Sequence, residues 1–166
     1  MTGAFDLGLA GARVVVTAGA GGIGRQIVEV FHSLGARVAT CDIDADALAD
    51  LPEGVLGARV DVADAAALGD FIDHSAAHLG GIDCLVNNAG IAGPTARIED
   101  LDLGDIERCL AVCLTSQFIT IGRAVPYLRQ GRSPAIVNIS SLAGRLGFKL
   151  RSPYAAAKWG VIGLTK

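Results

Sequence analysis

Tyr154 and Lys158 stand at i and i+4, a spacing that puts two side chains on one face of a helix. A phenol is a poor base at neutral pH because its ordinary pKa is about 10. A neighbouring ammonium favours the phenolate and lowers that value. Paired in this way, Tyr154 is a candidate general acid/base for exchanging a proton with an alcohol or carbonyl oxygen. Ser141, just after an apolar β-branched run, adds a hydroxyl able to donate a hydrogen bond to an oxygen as charge develops on it. A Tyr/Lys pair by itself is common on solvated helices, so its meaning depends on its surroundings.

The decisive surroundings lie near the other end of the chain. Thr17-Ala18-Gly19-Ala20-Gly21-Gly22-Ile23-Gly24 separates a strand-like run from a helix-like one. A tight turn needs one or two glycines; this segment has more, and small residues let a backbone approach a pyrophosphate. The N–H groups of the helix that opens around Gly22 and Ile23 face such an anion with favourable dipole potential. Asp42, closing the next strand, can accept hydrogen bonds from both hydroxyls of an adenosine ribose and repels a 2′-phosphate. The expected cofactor is therefore NAD, with NADP less favoured. Asp42 has a competing role as cap of the short helix that follows, for which Asp44 is the other candidate. Arg25 and Arg37 do not stand directly after that strand, where a phosphate clamp is expected.

Stepping through the chain, strand-like and helix-like patterns alternate. Strands are predicted at Ala12–Thr17, Arg37–Cys41, Leu56–Val62, Asp83–Asn87 and Ala135–Ser140. Helices are predicted at Ile23–Leu34, Ala45–Leu51, Ala65–Leu79 (stopped by Gly80-Gly81), about Leu103 to Arg129 despite Pro126, and from near Pro153 to Lys166. Near-continuous apolar strands between helices imply an α/β fold: a doubly wound parallel sheet with helices on both faces, a Rossmann-type three-layer arrangement. Ligands of such sheets sit at the C-terminal edge of the strands, which is where both candidate clusters fall.

Bulk properties narrow the alternatives. With 166 residues, 51% of them apolar and only 19% charged, the chain is no disordered segment. A net charge of −3 gives no reason to expect a nucleic acid or an anionic membrane as partner. No uninterrupted apolar run approaches the length of a membrane span, and residues 1–6 carry no signal-peptide pattern. Cys41, Cys84, Cys109 and Cys113 lack CxxC spacing and read as reduced core thiols, as expected in the cytoplasm. His74 and His78 share a helix face without the glutamate of a zincin, so no metal is expected.

The chain resembles the short-chain dehydrogenase/reductase family over essentially its whole length. The likeness rests on the Thr17–Gly24 loop, Asp61-Val62, Asn87-Asn88-Ala89-Gly90, Ile139-Ser140-Ser141, and Tyr154-Ala155-Ala156-Ala157-Lys158. It implies hydride transfer between a nicotinamide and a small-molecule alcohol or ketone. Tyr154 would then be the acid/base, Ser141 would orient the carbonyl, and Lys158 would also hold the nicotinamide ribose. Thr17, Gly19, Gly22, Ile23, Gly24 and Asp42 would serve the rest of the cofactor, with Asp61 and Val62 at the adenine and Asn88, Ala89 and Gly90 along its inner side. It further implies a homo-oligomer, dimer or tetramer, paired through the two long helices.

Three departures stand out. Ala18 occupies the position of the family's usual first glycine, and Cys113 that of an asparagine supporting a proton relay. The last helix is still running at Lys166, where family members continue into further strands and a substrate-covering segment, so the expectation is one dinucleotide-binding and catalytic domain over 1–166, incomplete at its C-terminus. The alternative function is a catalytically impaired or incomplete NAD-binding module with an assembly role. A sugar-nucleotide epimerase or dehydratase is a weaker alternative, since those relatives space the glycine loop differently and are longer.

Overall fold

Val14, Val15 and Val16 have no solvent exposure at all, as befits a strand whose sheet is covered on both faces. They form the centre of β1 (Arg13–Thr17) in the computed structural model of the protein, which describes residues 7–166; the leader-free reading of residues 1–6 lies outside the described part. The chain continues as α1 (Gly22–Ser33), β2 (Arg37–Asp42), α2 (Ala45–Ala49), β3 (Leu56–Arg59), α3 (Ala65–Leu79) and β4 (Cys84–Asn87). It is completed by α4 (Leu103–Leu110), α5 (Ser116–Leu128), β5 (Ala135–Asn138) and α6 (Ser152–Thr165). Every strand pair is parallel, in the order β3-β2-β1-β4-β5. The doubly wound α/β expectation is borne out.

Helices cover both faces because β1 alternates its side chains between them. Val15 joins Leu68, Phe71 and Ile72 of α3 and Ala124 and Leu128 of α5 in one core. Val14 and Val16 join Val28 of α1, with Val38 and Val86, in the other. Strand order reverses at β1, with β2 on one side and β4 on the other. The crevice outside the C-terminal ends of β1 and β4 is thus the switch point where ligands of such sheets bind.

Local chemistry sets the helix ends. Asp44 Oδ1 accepts from the Asp46 and Ala47 N–H groups, and Asp64 Oδ1 from those of Ala66 and Ala67, each satisfying orphan donors of a first turn. Gly80 ends α3 at φ 78°, a left-handed cap that glycine adopts without strain. At the sheet edge opposite the crevice, Arg13 clamps Asp83 with bonds of 2.8 and 2.6 Å. That pair, joined by the N–H groups of Arg13 and Arg132, holds the Asp83 carboxyl well below the ordinary carboxylate range, against the opposing effect of burial.

Several boundaries differ from the sequence pattern. β3 ends at Arg59 rather than Val62 because Asp61 turns the chain, its Oδ1 accepting from the Ala63 N–H at 3.0 Å. β5 ends at Asn138 rather than Ser140, since Ser140 and Ser141 bend away to bond α6 and cap a short turn. α2 stops at Ala49 rather than Leu51. The long helix is interrupted by a π-helical turn, Ala111–Thr115, between α4 and α5.

Leu103–Leu128 is 26 residues with a window of mean hydropathy 1.3, long and apolar enough by length and composition to cross a membrane. Its polar residues are spaced helically, so no unbroken apolar run reveals it. In the fold, Val112, Ala124 and Leu128 are buried in the core. His74 and His78 lie exposed on α3.

Candidate active site

The turn after β1 is stitched to the end of β4. Buried Thr17 accepts at Oγ1 from the Asn88 N–H at 3.0 Å and the Ala89 N–H at 3.1 Å. The Asn88 amide answers by donating to the carbonyls of Thr17 and Ala18 at 3.1 and 3.0 Å. Close packing follows: a methyl on Gly24 would lie 2.0 Å from the Ala18 carbonyl and 2.5 Å from Asn88 Nδ2. Gly19 is packed against Thr40 in the same way. Gly21 and Gly22, by contrast, face open space, and α1 starts at Gly22 with no side-chain cap, leaving its first N–H groups to whatever occupies that space. Ile23 is 69% exposed at the start of the helix.

Asp42 ends β2 beside this turn. Its Oδ2 accepts from the Ala20 N–H at 3.1 Å, and its Oδ1 from Ile43 and Asp44 N–H groups at 2.8 and 3.2 Å. Asp44, not Asp42, caps α2. A cleft of about 140 Å³ runs from Ala18 and Asp42 past Asp61 and Val62 to Ala89 and Gly90. The residues expected to serve one ligand are thus brought together from the ends of four strands.

A second cluster flanks the loop after β4. Lys158, only 3% exposed, donates from Nζ to the Ile139 carbonyl at 2.8 Å and lies 5.7 Å from the centre of the Tyr154 ring. Burial pushes the Lys158 amine below its usual pKa, an effect partly offset by the neighbouring thiols of Cys113 and Cys109. A methyl on Gly90 would sit 3.5 Å from Lys158 Nζ and 3.9 Å from Cys113 Sγ. This places Lys158 at the edge of the same loop as the cleft. Tyr154 is half-buried in the first turn of α6, packed with Ile91, Cys109 and Ala157. Ser141, also half-buried, accepts at Oγ from the Ala143 N–H at 3.2 Å, while Ser140 donates to the Lys158 carbonyl and anchors α6.

Sequence reasoning missed several cleft residues and contacts. Arg108 reaches from α4 to Asp61 at 2.8 Å, and Ile43, Ile91 and Val112 complete the cleft wall. Cys113 Sγ accepts from the Ile91 N–H and donates to the Ile91 carbonyl, both at 3.4 Å, which pins the π turn to the loop after β4. Asn87 bonds Asn138 and Thr120, tying β4 to β5 and α5. No spacing signal announces these contacts, because each joins elements distant in sequence.

Known proteins share the sequence pattern and the fold. A family model described as short chain dehydrogenase matches residues 12–166. The 2-dehydro-3-deoxy-L-rhamnonate dehydrogenase (NAD(+)) of Sphingomonas sp. (strain SKA58) is 36% identical over 95% of this chain and 64% of that protein. The D-threitol dehydrogenase of Mycolicibacterium smegmatis is 37% identical over 98% of this chain and 65% of that protein. The ligand-free aldohexose dehydrogenase of Thermoplasma acidophilum superposes with a TM-score of 0.87 at 34% identity, covering 95% of this chain and 60% of that one. The chain thus spans about 64% of the length of the curated relatives it matches. With the family model covering nearly every residue, the chain belongs to the short-chain dehydrogenase family.

Proposed function

We propose that the protein is an NAD-dependent oxidoreductase that interconverts an alcohol and a ketone, with Tyr154 as general acid/base. The observation that carries this reading is that the Lys158–Tyr154 pair of α6 packs against the loop that also borders the cleft, at the C-terminal edge of the sheet. The residues present fit a dinucleotide. Gly21 and Gly22 leave open space before the uncapped first turn of α1, where a pyrophosphate finds unpaired N–H groups. Asp42 retains acceptor capacity for ribose hydroxyls beyond its three backbone partners, which favours NAD over NADP.

When bound, the nicotinamide supplies the hydride acceptor or donor. The chain's own residues manage the proton and the oxygen. Lys158 places its amine beside the Tyr154 ring, 5.7 Å from the ring centre. Tyr154 then takes a proton from an alcohol or returns it to a ketone. Ser141 donates to the substrate oxygen. Thr17, Gly19, Ile23 and Gly24 would hold the cofactor at the glycine turn, Asp61 and Val62 would contact its adenine, and Asn88, Ala89 and Gly90 would line its inner side.

The alternative of an impaired or incomplete binding module rests on Cys113 and on the shorter span of the chain relative to its relatives. At Cys113 the thiol both accepts from and donates to Ile91, so the loop after β4 is held even without an amide side chain there. Exposed Phe118 on α5 and Trp159 on α6 support pairing of these helices between subunits. The described cysteines are free thiols, which fits a cytoplasmic enzyme acting as one dinucleotide-binding and catalytic domain. A turnover screen with NAD and NADP against a panel of secondary alcohols and polyols tests the reading. NAD-linked oxidation of at least one is expected, and NADH binding without any turnover favours the module instead.

A further inference from the structure

Arg108 is the one charged residue of the cleft wall that the family likeness leaves without a role. Its Nη1 lies 2.8 and 3.0 Å from the two Asp61 carboxylate oxygens. Both side chains remain nearly half exposed, at 42 and 43%, so the pair contributes little to the stability of the fold. Asp61 is held from the other side by the Ala63 N–H, so its carboxylate is fixed in direction. Between this charged pair and the glycine turn the cleft is apolar, walled by Val60, Val62, Ala89 and Val112.

That combination suits a flat aromatic base with an amino edge. Apolar walls take the ring faces, and a carboxylate accepts from the amino group. A carboxylate has about four acceptor positions. The Ala63 N–H and the guanidinium occupy three, leaving Oδ2 able to accept another donor. A planar guanidinium at the rim can in addition lie against an aromatic ring.

Building on the dinucleotide reading above, we propose that Arg108 is a further cofactor-binding residue, which orients Asp61 and closes the base subsite of the dinucleotide. Its contribution belongs to the adenosine half alone. Lys158 and Tyr154 are placed by α6 and do not touch this pair.

The test is a fluorescence titration of wild type, Arg108→Met and Arg108→Lys with NADH and with reduced nicotinamide mononucleotide, which lacks the adenosine half. Arg108→Met is expected to weaken NADH binding about tenfold and to leave mononucleotide binding within about twofold. Arg108→Lys keeps the charge without the planar group and should fall between. Unchanged or tighter NADH binding by Arg108→Met overturns the proposal, as does an equal loss for both ligands, which means a general distortion. Should the methionine variant not fold, Arg108→Gln, which keeps a planar polar end, is judged by the same comparison. A wild-type protein that binds neither ligand refutes the dinucleotide reading itself, a result distinct from selective failure at Arg108.

Discussion

The ammonium of Lys158 lies 5.7 Å from the centre of the Tyr154 ring while donating to the Ile139 carbonyl at 2.8 Å. One cation therefore ties the end of β5 to the first turn of α6 and charges the surroundings of the phenol. Because burial disfavours this ammonium, its presence costs the fold something that a methionine would not. Lys158→Met is expected to abolish turnover while changing unfolding free energy by no more than about 1 kcal/mol, the lost hydrogen bond offsetting the relieved desolvation. Denaturant unfolding alongside activity checks this; a loss of several kcal/mol would make Lys158 mainly structural.

Cys113 performs with one sulfur what an amide does with two groups, since its thiol meets both the N–H and the carbonyl of Ile91. Sulfur is a weak partner in each direction. Cys113→Asn should leave NADH affinity unchanged and preserve or raise kcat. A tenfold loss of kcat in a folded variant would contradict this and assign the thiol a role of its own.

Ala18 adopts φ 53°, a left-handed conformation that costs an L-residue about 1–2 kcal/mol and glycine almost nothing. Ala18→Gly should therefore raise stability by about 1 kcal/mol, less the extra freedom glycine gains when unfolded. Thermal unfolding with and without NADH measures it. A destabilised variant would show that the Ala18 methyl contributes packing that outweighs the strain.

Acid should reveal the Arg13–Asp83 clamp. The Asp83 carboxyl titrates well below its ordinary value in the folded protein, so the unfolded chain takes up the proton first. The stability it contributes is fully present above the unfolded pKa of about 3.9 and is lost as pH falls toward the folded pKa. Asp83→Asn should cost about 2–3 kcal/mol at neutral pH. The gap to wild type should narrow below about pH 4. Urea titrations across that range decide the matter, and a gap independent of pH would mean that ionisation of Asp83 is irrelevant.

What could be read from the chain, and what could not, divides along sequence distance. Val14 to Val16 declare a doubly covered strand, and the alternation after it is local enough to yield the parallel fold. The competition between Asp42 and Asp44 for one cap needed geometry: Asp44 reaches Asp46 and Ala47, and only then is Asp42 left for the glycine turn. The ends of β3 and β5 escaped because single hydrogen bonds, at Asp61 and Ser140, turn chains whose apolar pattern continues. The π turn at Ala111–Thr115 and the reach of Arg108 to Asp61 left no trace in spacing, since both depend on which elements the topology sets side by side.

The most direct measurement is turnover and NADH affinity of Tyr154→Phe, a change that removes one hydroxyl and leaves the ring beside Lys158. In the proposed mechanism the phenol acts on the substrate's proton, so kcat should drop to background while the NADH dissociation constant stays within a few-fold. Turnover that survives this substitution would remove Tyr154 from the chemistry and contradict the proposed mechanism.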